Sequence, residues 1–235
     1  MRSPAFLILL VLTALCAIVF AIWPQIDLAT AKLFYSSAGF AATHSTAWAM
    51  IRKAGYWVPA AVLIGFLLLY GLRKVGMIAR GPSGRSAAFI ALTMALGPGL
   101  LVNVILKDHS HRPRPIQVQE FGGSAKFEPW YRFDGACARN CSFVSGEAAG
   151  AFWMTAPAML APPWIRVAAI AAALAFGAAD SLLRLAFGGH FLSDVLFAAL
   201  FTLLIVVGLA KALGVPDGES PPSRNPRLRE RDRSL

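Results

Sequence analysis

The sequence predicts an all-α integral membrane protein, a bundle of about six transmembrane helices. Two observations carry that prediction. Of 235 residues, 57% are hydrophobic and only 14% charged, against about 25% charged in an average soluble chain. The apolar residues are also gathered into runs that approach a hydrocarbon core of about 30 Å. The net charge of +10 would by itself suit nucleic acid. The basic residues, however, lie in short connections and near the C-terminus, between apolar spans, which is a membrane-topology pattern and excludes a nucleic-acid partner.

The first run covers residues 6–23. Arg2 gives it the flank of a cleaved signal peptide, but its length and the lack of a small-x-small cleavage site favour an uncleaved span. Residues 26–50 mix small and apolar side chains (Ala29, Leu33, Phe34, Phe40) and read either as an interfacial amphipathic helix or as a plain loop. Further spans are predicted at about 56–72 and 87–106. The run 148–161 is short for a full span and would borrow residues from the motif before it. Pro162-Pro163 breaks the chain there, and spans at 164–183 and 195–213 follow. One membrane domain is thus expected over 1–215, with a basic, Pro- and Ser-rich disordered tail over 216–235 whose arginines touch anionic headgroups.

With six spans, Arg73, Lys74, Arg80, Arg85, Arg166 and the arginines of the tail fall on one side. The positive-inside rule makes that side cytoplasmic, so both termini are inside. The connection between spans three and four faces outward although it is also basic, with Lys107, Arg112, Arg114, Lys126, Arg132 and Arg139. A cluster that holds an anionic substrate explains that exception. Of three cysteines, Cys16 is a small residue within the first run. Cys137 and Cys141 are either free thiols or, where their loop meets an oxidising compartment, a disulfide, which is the expected state. Two cysteines without a matching histidine pair do not make a zinc site.

Three polar islands interrupt the apolar pattern, and ionisable groups beside hydrocarbon are read first as functional. The first, Lys107-Asp-His-Ser-His-Arg-Pro-Arg114-Pro115, puts a point charge and a planar fork seven residues apart at the end of a span, a pair suited to phosphate. Arg112-Pro113 offers a competing register. In the second, Asn140-Cys-Ser-Phe-Val-Ser145-Gly146-Glu147, Ser145-Gly146 opens a helix, which is either a simple N-cap or an anion site at the positive end of the dipole. The third runs from Arg184 to Asp194. His190 and Asp194, four apart, would share one helical face, so the carboxylate could hold the imidazole and leave its other nitrogen free to attack. Gly188-Gly189 leaves room for a phosphate, and Arg184 adds a cation.

Lys107-x6-Arg114-Pro115, Ser145-Gly146 and Arg184-x5-His190-x3-Asp194 together resemble the type-2 phosphatidic-acid phosphatase superfamily of membrane lipid phosphatases, over about residues 50–213. The resemblance implies His190 as a nucleophile forming phosphohistidine and Asp194 as its orienting partner. It implies Lys107, Arg114, Ser145, Gly146 and Arg184 as the phosphate-binding groups. It implies no metal and no cofactor, with water attacking the phosphohistidine in the second half-reaction. The chain departs from the family pattern at two places. Glu147 stands where the family has the histidine that protonates the leaving group, and Leu183 stands where it has serine. Glu147 is therefore expected to take part as acid or base. The other reading is that it pairs with a basic residue while His109 or His111 supplies the proton. The string from Cys141 to Glu147, with the loop Phe127-Glu-Pro-Trp130 before it, is similar to a bacterial branch containing lipid A phosphatases, the 4′-phosphatase type in particular.

The expected activity is thus hydrolysis of a lipid phosphomonoester on the outer face of a bacterial inner membrane, with lipid A foremost. Phosphatidylglycerophosphate, phosphatidate and undecaprenyl diphosphate are the alternative substrates, and a lipid phosphotransferase shares the first half-reaction. A non-enzymatic lipid-binding protein or transporter is the remaining class, though the chain has no inverted halves.

Overall fold

The computed structural model describes residues 4–215. The predicted tail over 216–235 and the flanking Arg2 lie outside the described residues. Among the described residues, five helices are long and apolar enough to cross a membrane: α1 Pro4–Ile22, α3 Thr46–Lys74, α4 Gly84–His109, α7 Pro163–Ala186 and α8 Leu192–Ala212. Shorter helices are α2 Gln25–Lys32, α5 Gly146–Trp153 and α6 Thr155–Met159. The predicted fourth span is α5 and α6, a two-piece helix interrupted at Met154. It is as short as its apolar run implied, and it is packed against α7 and α8.

Hydropathy separates the lipid-facing helices from the packed ones. Along α1, Phe20 is the one buried side chain, while Ile8, Val11, Leu15, Ile18 and Ile22 are each more than half exposed. A helix that shows apolar groups on all sides is solvated by acyl chains. In α5, by contrast, Ala148, Ala149, Ala151 and Trp153 are buried. Small side chains let backbones approach closely. At Gly177 of α7, a Cβ would sit 2.5 Å from the Phe152 ring.

The segment 26–50 resolves into three pieces. The eight-residue α2 buries Asp27 and Ala31. A two-residue hairpin then pairs Tyr35 with Phe40 and Ser36 with Gly39, and a 3₁₀ turn covers Ala41–His44. The second long helix starts ten residues before the apolar run does, because Ser45 caps it by accepting from the Trp48 N–H at 3.3 Å. Arg52 and Lys53 interrupt the hydropathy there without interrupting the helix. At 29 residues, α3 is about 43 Å long, enough to carry its first turns beyond the hydrocarbon.

In α4 the stretch Ala95–Leu106 is π-helical and contains Pro98. Proline cannot continue the regular ladder, and the Asn103 side chain donates to the Pro98 carbonyl at 2.7 Å. Wider turns of this kind re-aim the residues that follow, here Lys107. The ends of α1, α4 and α7 and the starts of α3, α5 and α8 meet at one end of the bundle. Arg73, Lys74, Arg80 and Arg85 gather at the other, where Arg85 Nη1 donates to the Gly214 carbonyl at 3.4 Å. The core divides likewise. Val102, Phe143, Leu185, Val195 and Phe197 form the cluster below the polar islands. Phe89, Ile90, Trp153 and Val206 form the one at the opposite end.

Candidate active site

The loop from Lys107 to Ser145 folds back along itself. Cys137 N donates to His111 O, Cys141 N to Lys107 O and Ser142 N to Arg112 O, at 3.1, 3.2 and 2.8 Å. Cys137 and Cys141 form the expected disulfide, with their Cα atoms 5.7 Å apart. The Ile116 N–H donates to the Gly188 carbonyl at 3.1 Å, which ties the segment after Arg114 to the turn before His190. All three islands are therefore tied together by backbone hydrogen bonds.

His190 is 1% exposed. Its Nδ1 lies 2.7 Å from the carbonyl oxygen of Ser142. A carbonyl can only accept, so Nδ1 carries the proton and the lone pair of the neutral ring is on Nε2. Burial, the largest influence, pushes the His190 pKa down to about 4, with Arg184 and Arg114 adding to the effect against the opposing pull of Asp194. The imidazole is thus neutral and nucleophilic at any ordinary pH.

The expected sharing of one helical face by His190 and Asp194 does not occur, because α8 begins at Leu192, after the histidine. Asp194 Oδ2 stands 3.8 Å from Nδ1, too far for a hydrogen bond. It accepts instead from the Phe191 N–H at 2.8 Å and the Ser142 hydroxyl at 2.5 Å. Asp194 thereby fixes the two residues that fix the imidazole and acts on the ring only as a nearby charge.

The competing registers of the first island are both used, for different purposes. Arg112 is fully buried. It donates to Asp194 Oδ1 at 2.5 Å, to the Ser193 hydroxyl at 2.8 Å and to Asp27 Oδ2 at 2.7 Å. Its guanidinium lies over the Phe191 ring at 4.5 Å. Asp27 also accepts from the Ser193 N–H and hydroxyl, at 2.8 and 2.6 Å. Burial disfavours the Arg112 charge, but Asp194 and Asp27 outweigh it and raise its pKa. Arg114 is only partly buried and is held by the Asn140 carbonyl and side-chain oxygen, both at 2.9 Å. Its charge acts on Lys107, Arg184 and His190.

Lys107 meets the second island directly. A Cβ at Gly146 would sit 3.2 Å from Lys107 Nζ, so the ammonium lies against the first turn of α5. Ser145 caps that helix, its Oγ accepting from the Ala148 N–H at 3.3 Å, and is fully buried. Arg184, 3% exposed, lies against the backbone of Gly189, where any Cβ would collide with the guanidinium. Lys107, Arg114, Gly146, Arg184 and His190 therefore converge, and Ser145 supports them from behind as a cap.

Glu147 receives the second of the roles open to it from sequence, that of partner to a basic residue. Arg52 Nε and Nη2 clamp both carboxylate oxygens, at 3.0 and 2.9 Å, and Arg184 Nε is 3.6 Å away. Burial alone would raise its pKa, but the Arg52 hydrogen bonds and the Arg184 charge override it and leave it below the usual range. A carboxylate held ionised cannot donate a proton, so the acid role expected for Glu147 does not fit this geometry. His109 and His111 point their Nδ1 atoms at the carbonyls of Ile105 and Cys137, at 2.8 and 2.9 Å.

Sequence reasoning missed Arg52, Asp27, Ser142 and Ser193. Arg52 was hidden by its position just before an apolar run. Asp27 left one trace, a lone carboxylate between two apolar stretches.

Residues 86–214 match the PAP2 superfamily. The chain is 33% identical over 206 residues to the lipid A 4′-phosphatase of Rhizobium leguminosarum, covering 81% of this chain and 88% of that one. It is 34% identical over 194 residues to the lipid A 4′-phosphatase of Francisella tularensis subsp. novicida, covering 80% and 86% respectively. No solved structure gives a significant match. With the family model matching more than half of the chain and relatives aligned over about four fifths of it, the chain belongs to the PAP2 superfamily.

Proposed function

We propose that this protein is a membrane lipid phosphatase that removes the 4′-phosphate of lipid A through a phosphohistidine. The observation that carries the reading is a buried, neutral His190, its Nδ1 capped by a carbonyl, within a cluster of Lys107, Arg114 and Arg184. Nε2 attacks phosphorus, the phosphorus–oxygen bond to the sugar breaks, and the departing oxygen takes a proton from water. A second water then attacks the phosphohistidine and releases inorganic phosphate. The three cations and the N–H groups at Gly146 stabilise the charge on the equatorial oxygens. Arg52 holds Glu147 against Arg184 and so orients that guanidinium. The names of the relatives support lipid A as the substrate.

The site end faces the periplasm and both termini are cytoplasmic in this reading. Support comes from the basic residues at the opposite end and from the disulfide beside the site, which belongs to an oxidising compartment. Purified protein supplied with lipid A, phosphatidate, phosphatidylglycerophosphate and undecaprenyl diphosphate should release phosphate fastest from lipid A. Mass spectrometry should place the loss at the 4′ position. Release from none of them, beside an active control enzyme, would overturn the reading. Radiolabel appearing on a second lipid instead of in free phosphate would make the protein a phosphotransferase.

A further inference from the structure

One cavity plays no part in the phosphate site. It lies between α3, the Ala41–His44 turn and α7, has a volume of about 710 Å³, and is lined by Phe34, Trp48, Ile51, Phe176 and Leu183 together with Asp180. Its rim is open at Trp48, Ile51 and Leu182, each more than half exposed. Asp180 is the exception in this apolar wall. It is 6% exposed, and its Oδ2 has no hydrogen-bond partner among the described residues. A buried acceptor left without a donor costs about 1–3 kcal/mol, and more when charged. A carboxylate kept at that cost inside a membrane-spanning helix is a functional candidate.

The position of Asp180 says what could pair with it. It precedes Arg184 by four residues on α7, so the two share a face, with Asp180 about 6 Å deeper along the helix. Arg52, which clamps Glu147, follows Ile51 directly and lies one turn from Trp48 on α3, and its guanidinium lies over the Phe187 ring at 5.5 Å. The cavity therefore lies beside the cation cluster, close enough for the Arg184 and Arg52 charges to act on Asp180. Gly55 adds room at the carboxylate, since even a Cβ there would only reach ordinary contact with Asp180 Oδ1, at 3.8 Å.

We propose that this cleft takes an acyl chain of the lipid substrate and that Asp180 accepts a hydrogen bond from a hydroxyl or amide N–H that the substrate carries about one helical turn below its phosphate. The inference rests on the lipid-phosphatase reading and narrows it. Amide-linked or hydroxylated acyl groups supply such a donor. The ester linkages of a simple diacyl phosphomonoester only accept, and would leave the carboxylate unpaired. A second anionic group at that depth would be repelled.

The test uses the full chain in detergent with three phosphomonoesters. One carries an amide-linked 3-hydroxyacyl chain, one is phosphatidate, and one is a short water-soluble ester without an acyl chain. The wild type should prefer the first over phosphatidate by about tenfold to a hundredfold in kcat/KM, the range for one hydrogen bond to a charged group. Asp180→Leu should reduce that preference to within about threefold, through KM and with kcat retained, and Asp180→Asn, which keeps a neutral acceptor, should fall between it and the wild type. Ala179→Phe, which fills the cleft from its rim, should raise KM for both lipids and leave the soluble ester unaffected. Equal loss of kcat on all three esters would make Asp180 a support for Arg184 and overturn the proposal.

Occupancy is also read without turnover. A brominated dephospho-lipid with the amide-linked hydroxyacyl chain should quench tryptophan fluorescence, and Trp48→Phe should remove that quenched component. Quenching without hydrolysis of any ester would sink the phosphatase reading and leave the cleft standing. Hydrolysis without Trp48-dependent quenching would do the reverse.

Discussion

Arg52 grips both carboxylate oxygens of Glu147, through Nε at 3.0 Å and Nη2 at 2.9 Å. Glu147 is thus an anchored anion, and its guanidinium partner comes from a helix that contributes none of the three motifs. The pair spans α3 and α5 and lies beside Arg184, so its expected effect is on the placement of that cation.

Glu147→Gln should therefore lower kcat by no more than about tenfold, since loss of a true general acid costs about 10² to 10⁴. The alkaline limb of the pH–rate profile should stay where it is. Arg52→Ala, which frees the carboxylate beside Arg184, should cost more than Glu147→Gln. A shift of the alkaline limb in Glu147→Gln would restore Glu147 to the acid role.

The neutral state of His190 fixes the acid side of the pH dependence. Its pKa is lowered to about 4, so the ring stays unprotonated well below the usual histidine range. The acid limb of kcat/KM assigned to His190 should fall near pH 4 and not near 6.5. The same shift acts on stability. Between about pH 6.5 and 4 the unfolded chain takes up a proton that the folded chain refuses, so stability decreases as pH falls through that window. Denaturation in detergent at pH 7 and pH 5 measures it, and His190→Asn should remove that part of the slope.

The buried ion network predicts a strong structural effect from a residue outside the phosphate site. Arg112 joins Asp27 of α2 to Asp194 of α8, with every partner at most 1% exposed. Arg112→Ala leaves two buried carboxylates without their counter-charge and should destabilise the fold by about 3–5 kcal/mol. Arg112→Lys should not rescue it, because one ammonium cannot fork between two carboxylates and the Ser193 hydroxyl. Thermal unfolding in detergent distinguishes these from Arg114→Ala, which should lose activity with little loss of stability.

Gly189 separates fold from function in the opposite direction. A Cβ there would run into the Arg184 guanidinium, the movable end of a side chain and not backbone. Gly189→Ala should keep the fold within about 1 kcal/mol and lower kcat by displacing Arg184. A crystal structure or a phosphate-binding titration of the variant would reveal the displacement. Full activity would mean that Arg184 does not need this position.

Hydropathy marked the long apolar helices, and spacing marked the residues that gather around His190. Lys107, Arg114, Arg184 and His190 were legible because their chemistry is confined to short motifs. The start of α3 was not legible, because Arg52 and Lys53 lower the local hydropathy of a helix that Ser45 nevertheless caps. The partition between Arg112 and Arg114 was not legible either, since two Arg-Pro dipeptides in a row look alike in sequence.

What the sequence by itself determined is the membrane bundle, the single end at which its polar islands gather, and the histidine and cations that meet there. Tertiary structure alone decided the hydrogen-bond partners. Glu147 meets Arg52 across 95 residues, Asp27 meets Ser193 across 166, and the proton of the His190 ring is placed by a Ser142 carbonyl that carries no side-chain signature. The physical reason is that residue type and spacing encode burial and charge, which are local. Pairing in a desolvated interior is a long-range choice among several oppositely charged groups, and only packing makes it.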